Sequence, residues 1–122
     1  MALRNLYKNK IDDTIQKLLN SNIVNIYGGY TEQHLNTRKS QHIRNNENFK
    51  NMKIKKIFQT DKESQINQIQ LAEQYLINEL DRNFGMNICL NDYNRNGQIA
   101  QRGGAGIQYN QGDTMKIYVM YK

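Results

Sequence analysis

The stretch TDKESQINQIQLAEQYLINEL, residues 60–80, decides the fold because it carries the clearest helical pattern in the chain. Thr60 and Glu63 have the spacing of a capping box, in which the two side chains satisfy backbone N–H groups at a helix start. Apolar side chains then recur at the three- and four-residue intervals that place them on one face of a helix. These residues are Ile66, Ile69, Ala72, Leu76, Ile77 and Leu80. The pattern predicts a long amphipathic helix that ends before Gly85.

Two further helices are predicted on the N-terminal side of this one. Residues 9–20 carry apolar side chains at helical spacing, with Asp12 and Asp13 placed where an N-terminal helix dipole favours anions. Thr31 has the chemistry of an N-cap, and the polar stretch after it predicts a helix to about residue 43.

Strands are predicted between and after the helices. NIVNIY, residues 22–27, is β-branched and apolar, and Gly28 and Gly29 predict a turn after it. MKIKKIF, residues 52–58, predicts a second strand. Beyond Gly85, glycine and asparagine turns separate three short strand-like runs, 98–101, 106–110 and 114–122. We therefore predict one α+β domain over 1–122, with a small mixed or antiparallel sheet flanked by helices and extra C-terminal strands.

Composition limits the chemistry and the partners. The chain of 122 residues has a net charge of +6, which favours nucleic acid as a partner, although solubility alone explains such a charge equally well. One cysteine, Cys89, excludes an intrachain disulfide, and two histidines are too few for a Cys/His metal cluster. We expect a reducing, intracellular compartment. No apolar run has the length of a membrane span or the form of a signal peptide, so no membrane partner is expected.

Glu73 is the first candidate for chemistry. It falls near the middle of the apolar face of the long helix, where a carboxylate needs a partner, a cleft or a metal ion. The structural alternative is a glutamate that reaches water or pairs with a lysine at the edge of that face.

Arg38 and His42 are the next candidates. They share one face of the second helix with Leu35, at i, i+3 and i+7. A guanidinium offers a planar set of donors suited to phosphate oxygens. A solvated basic face, with Leu35 as its one buried member, is an equally good explanation.

Taken in chain order, these residues resemble the GIY-YIG nuclease superfamily over residues 24 to 90. The resemblance rests on the strand end Tyr27-Gly28-Gly29, on Arg38, on Glu73 within QLAEQYLINEL, and on Asn87 after the turn. It implies a GIY-YIG-like core of about 22–90 followed by a β-rich extension, 91–122.

The resemblance also implies a metal-dependent endonuclease acting on DNA or RNA, with Mg²⁺ as cofactor. Tyr27 would position or deprotonate the attacking water, and Arg38 would stabilise charge on the phosphoryl oxygens. Glu73 would be the single protein ligand of a hydrated Mg²⁺ ion. His42 would assist proton transfer, and Asn87 would brace the site.

One strand of the family pattern is missing from its usual place. The strand that carries G-I-Y should precede Tyr27, where this sequence predicts a helix. The C-terminal strand can fill that position with Ile117 and Tyr118, as in a circular permutation. Two other functions stay open: a catalytically inactive relative within a ribonucleoprotein or a virion, and an unrelated interaction module.

Four lysines are candidates for nucleic-acid contact. The predicted second strand is rich in lysine, which can line a path for a phosphate backbone or protect a strand edge from pairing. The candidates are Lys39, Lys53, Lys55 and Lys56.

Overall fold

The computed structural model describes residues 2–91 and 113–122, in which three helices and three strands confirm the predicted α+β class. No helix in this part of the chain has both the length and the apolar character to cross a membrane. Short 3-10 helices precede β2 and α3, at Glu47–Phe49 and Glu63–Gln65. The main elements are α1 (Asn5–Leu19), β1 (Ile26–Thr31), α2 (Leu35–Asn45), β2 (Lys53–Thr60), α3 (Ile66–Phe84) and β3 (Met115–Tyr121).

The strands form one sheet in the order β1-β3-β2, and both strand pairs are antiparallel. The sheet is therefore antiparallel rather than mixed. The C-terminal strand is its central strand and not an extension beside a finished core. The predicted strands at 98–101 and 106–110 lie outside the described residues.

The sequence of β3 explains its central position. Five of its seven side chains are buried, so the strand is covered on both faces of the sheet. Such a continuous apolar run is typical of a strand buried on both sides. By contrast, β2 alternates exposed lysines with apolar residues, as an edge strand does.

Two apolar clusters lie on opposite faces of the sheet. One face, with Ile117 and Val119, packs against α1 and α3. The other face, with Tyr118 and Met120, packs against the 3-10 residue Phe49 and against Leu35 of α2. The α3 face predicted from the sequence is confirmed, since five of its six residues are buried and only Ile66 is partly exposed.

The two predicted N-caps are wrong, because both threonines end strands. Thr31 pairs with Lys116 at the end of β1, and its Oγ1 accepts a hydrogen bond from Gln33 N at 3.0 Å. Thr60 ends β2, and its Oγ1 accepts from Lys62 N at 3.2 Å. A hydroxyl bonded to the N–H two residues on stabilises a turn instead of a cap. The helices consequently begin later, at Leu35 and Ile66.

The predicted turn at Gly28 and Gly29 is also wrong, because both residues lie inside β1. A Cβ atom on Gly28 would lie 2.8 Å from Leu76 Cδ2 and 2.9 Å from Leu80 Cδ1. A Cβ atom on Gly29 would lie 2.5 Å from the Tyr118 hydroxyl. The two glycines therefore allow close approach of α3 on one face and of a tyrosine on the other.

The substitution Gly28→Ala should destabilise the fold by about 1–3 kcal/mol, because the added methyl group overlaps the Leu76 side chain. Urea unfolding of Gly28→Ala, Leu76→Ala and the double variant measures this effect. The double variant should lose less stability than the two single losses combined, since removing Leu76 makes room for the methyl group. Additive losses would show that this contact does not limit packing.

Candidate active site

Alternation along the strands places two tyrosines on the same face of the sheet. Tyr27 of β1 is opposite Met120, and Gly29 is opposite Tyr118. Successive side chains of a strand point to opposite faces, so Tyr27, Tyr118 and Met120 all lie on the face covered by α2. The C-terminal strand thus brings a tyrosine beside the first strand, next to Gly29.

The Tyr118 hydroxyl is the centre of a polar cluster beneath α2. It lies 2.7 Å from His42 Nε2, and Arg38 Nε donates a hydrogen bond to it at 3.4 Å. Arg38 and His42 are one helical turn apart, so both can reach one oxygen atom from α2. Because Tyr118 is fully buried, its hydroxyl needs partners, and these two residues supply them.

Arg38 is oriented by neutral oxygen atoms. Besides Tyr118, it bonds Gln41, whose Oε1 accepts from Arg38 Nη1 at 3.0 Å. Burial acts to lower the pKa of Arg38, but Tyr118, Tyr27 and Glu73 outweigh that effect, and the net pKa is raised. The guanidinium is therefore charged and held in a fixed orientation.

Tyr27 lies at the edge of the same cluster and is half-buried. Its ring meets the His42 ring edge-on, with centroids 4.7 Å apart, and the Phe49 ring at 5.1 Å. The Tyr27 and Tyr118 ring centroids are 6.4 Å apart. Two tyrosines and a histidine therefore share one aromatic cluster, of which Tyr27 is the most accessible member.

Glu73 lies outside this aromatic cluster but acts on it through its charge. It is half-buried on α3, next to the fully buried Ala72. Its carboxylate is one of the charges that raise the pKa of Arg38 and of Tyr118. It also contributes to the raised pKa of Tyr30, where burial is the largest cause. The structure thus brings Tyr27, Arg38 and His42 together at Tyr118, and the charge of Glu73 acts on Arg38 and Tyr118 from α3, which packs on the other face of the sheet.

Asn87 is not part of this arrangement. It lies exposed in the turn after α3, whereas Asn91 is buried against β1. Gly28 N donates to Asn91 Oδ1 at 3.1 Å, and Asn91 Nδ2 donates to Gly28 O at 2.9 Å. The Asn91 side chain therefore continues the hydrogen bonding along the outer edge of β1, next to the bridge that joins Ile26 to Cys89. The apolar run Ile88–Leu90 was the sequence signal for a buried segment before Asn91.

The lysine candidates lie on β2 and α2, and Lys56 is directly opposite Tyr118 in the sheet. Lys53, Lys55 and Lys56 are exposed along β2, and Lys39 is half-buried on α2. Lys56 Nζ donates a hydrogen bond to Gln59 Oε1 at 2.8 Å.

The predicted Mg²⁺ ion depends on the carboxylate of Glu73. Within residues 2–91 and 113–122, no group of three or more His, Cys, Asp or Glu side chains is placed to hold a metal ion. A single carboxylate suits Mg²⁺, which keeps several waters and takes substrate phosphate oxygens as further ligands. A site built wholly from protein ligands is not found in these residues, and Mg²⁺ at Glu73 stays a prediction.

Comparison of the chain with models of protein families, with curated protein sequences and with solved structures finds no match to any of them.

Replacing Asn91 by alanine should destabilise the protein by about 2–4 kcal/mol, because a buried N–H and a buried C=O of Gly28 lose their partner. Asn87→Ala is the matched control, since it removes the same amide from an exposed turn and should change stability by less than about 0.5 kcal/mol. Thermal or urea unfolding of both variants measures the difference. Equal effects would contradict the structural role given to Asn91.

Tyr118 should make stability depend on pH in the alkaline range. Burial raises the pKa of its phenol, and Tyr27 raises it further, while Arg38 lowers it. The unfolded chain ionises this tyrosine at an ordinary pKa of about 10, so the stability it contributes is complete below that pH and is lost above it. Urea unfolding from about pH 8 to about pH 11 should show a shallower loss in Tyr118→Phe than in the wild type. The same slope in both proteins would contradict this assignment.

Proposed function

We propose that this protein is a metal-dependent endonuclease of the GIY-YIG type that hydrolyses phosphodiester bonds of DNA or RNA. The observation that carries the proposal is the cluster at the Tyr118 hydroxyl, where Arg38 and His42 of α2 meet a tyrosine of the central strand. Tyr27 and Glu73, from β1 and α3, act electrostatically on the same groups. Four elements distant in sequence thus supply the residue types that phosphodiester hydrolysis requires.

Tyr27 is assigned to the attacking water. It is the more accessible of the two tyrosines in the cluster, whereas Tyr118 is completely buried. The water oxygen forms a new bond to phosphorus, the bond from phosphorus to the leaving oxygen breaks, and the leaving oxygen takes up a proton. Acting as the phenolate, Tyr27 orients the water and takes its proton, and this proton then passes to the leaving oxygen, which restores the phenolate.

Arg38 is assigned to the charge that develops on the phosphoryl oxygens. Tyr118 and Gln41 fix two of its nitrogens through neutral acceptors, which orients the guanidinium while its charge persists. Preorganised donors of this kind stabilise a transition state because they need no rearrangement during the reaction.

His42 is assigned to proton transfer at the Tyr118 hydroxyl. The two groups are 2.7 Å apart, and His42 is itself buried, so a proton can move between them without bulk water. The hydrogen bond also holds Tyr118 as an anchor for Arg38. Tyr118 is therefore a positioning residue, and Arg38 is the group that meets substrate.

Glu73 is the residue that would hold Mg²⁺. When bound, the ion would supply Lewis-acid stabilisation of the phosphate and a lowered pKa for bound water. Support for placing Glu73 and Arg38 in one site is electrostatic, since the Glu73 carboxylate is one of the charges that raise the pKa of Arg38 against the lowering effect of burial.

Mg²⁺-dependent cleavage of supercoiled plasmid and of labelled RNA tests the proposal. We expect Glu73→Gln and Arg38→Ala each to reduce cleavage by at least about hundredfold, since each removes a group acting on the transition state. Glu63→Gln is the control, because it neutralises an exposed carboxylate in the 3-10 helix before α3. Chelation of the metal should abolish wild-type cleavage.

Two results would overturn the proposal. Equal cleavage by the wild type and Glu73→Gln would exclude Glu73 as the metal ligand. A folded wild type that cleaves neither substrate would favour the alternative, an inactive GIY-YIG-like component of a ribonucleoprotein or a virion. A thermal unfolding curve for each variant shows that any loss of cleavage comes from a folded protein.

A further inference from the structure

The net positive charge of the protein comes from one segment. Residues 35–60, from α2 to the end of β2, contain seven Lys and Arg residues against one Glu, a net charge of +6. The remaining 96 residues contain ten basic and ten acidic side chains, so their net charge is zero. The whole net charge of +6 therefore belongs to α2, β2 and the turn between them.

The lysines of β2 lie at an uncovered edge of the sheet. β2 pairs only with β3 and forms one edge of the three-stranded sheet. At the opposite edge, β1 is covered by the bridge from Ile26 to Cys89 and by the Asn91 amide. Among the described residues, β2 is thus the edge whose outer backbone groups have no strand beside them.

Lysines stand on both faces of this edge. Lys53 and Lys55 are opposite Tyr121 and Val119, on the face of α1 and α3. Lys56 is opposite Tyr118 and lies on the face of α2. All three are exposed, as is Lys50 just before the strand. We call these four residues the basic edge.

The charges of the basic edge are not compensated by carboxylates of the described residues. The salt bridge found in this part of the protein joins Arg82 to Glu79 on α3. Lys56 donates a hydrogen bond to the neutral side-chain amide oxygen of Gln59. The backbone oxygen of Lys50 accepts a hydrogen bond from Lys122 Nζ at 3.1 Å, so the Lys122 ammonium group adds another positive charge beside the basic edge. A surface with this charge attracts a polyanion.

We infer that the basic edge is a nucleic-acid binding surface that holds the phosphate backbone of the substrate beside α2. The inference rests on the proposed function for the identity of the polyanion. Cations on both sides of an exposed strand can follow a backbone by contacts to phosphates, which carry no sequence information. The chain would accordingly bind nucleic acid with little sequence preference through this edge.

Protection of an edge strand against pairing is the other use of lysines at such a position. If the lysines only protect the edge, the affinity for nucleic acid should not depend on which lysines of the protein are removed. The two roles therefore differ in whether binding depends on the location of the lysines or only on total charge.

Two triple variants with the same change in net charge separate these roles. Lys53→Gln/Lys55→Gln/Lys56→Gln removes three charges from the basic edge, and Lys10→Gln/Lys17→Gln/Lys62→Gln removes three exposed charges elsewhere. Fluorescence anisotropy with duplex DNA, single-stranded DNA and RNA of one sequence measures affinity. EDTA is present, so that binding is read without cleavage. Salt is varied from about 50 to about 200 mM, because phosphate contacts appear as the slope of affinity against salt.

The edge variant should bind about tenfold or more weakly at roughly 0.1 M salt, and its salt slope should fall by about two to three. The control variant should remain within about twofold of the wild type. The DNA and RNA arms show which backbone the edge prefers. Equal weakening in both variants, or no salt-dependent binding by the wild type, would overturn the inference. Localised binding without any metal-dependent cleavage would keep the inference and refute the proposed nuclease.

Discussion

The sheet depends on the pairing of β3 with both of its neighbours. β1 and β2 each form a ladder with β3 and none with each other. Every residue of β1 has its partner in β3, from Ile26 opposite Tyr121 to Thr31 opposite Lys116. The positions of β1 and β2 therefore depend on β3. The position of α2, which connects these two strands across one face, depends on β3 as well.

The same strand links the core to the candidate site. Ile117 and Val119 enter the cluster beneath α1 and α3, while Tyr118 between them enters the cluster beneath α2. A shift of one residue in the register of β3 would move Tyr118 to the opposite face and away from Arg38. The geometry of the site is thus fixed by the hydrophobic pattern of one strand, and its polar residues are also structural. Arg38 and His42 satisfy a hydroxyl that would otherwise be buried without partners.

Local patterns in the sequence predicted the elements that depend on burial of a face. The α3 face and the strand at 115–121 were found in this way, because their apolar residues have helical and strand periods that packing preserves. The same reasoning brought Glu73 to attention as a charge within an apolar face. The family resemblance, and not a local pattern, named Ile117 and Tyr118 for the missing strand position, because strand order depends on long-range pairing that a local pattern does not contain.

The failures have physical causes in particular residues. Thr31 and Thr60 have cap chemistry, but strand pairing holds them in the sheet, and their hydroxyls bond nearby N–H groups in turns. Gly28 and Gly29 were interpreted as a turn because a glycine pair more often bends a chain. Here they provide space for Leu76 and Tyr118, and that reason is visible only once the partners are in place. Asn87 was named from the family resemblance, whereas the residue buried against Gly28 is Asn91, which that resemblance did not indicate.

Strand order also has a consequence for synthesis on the ribosome. β1 and β2 leave the exit tunnel well before β3, and in the finished sheet they are separated by two strand spacings, or about 10 Å. Neither can complete its backbone hydrogen bonds until residues 115–121 arrive between them. The nascent chain must therefore pass through a stage in which two strands lack their common partner, and the lysines of β2 also limit association between incomplete chains at that stage.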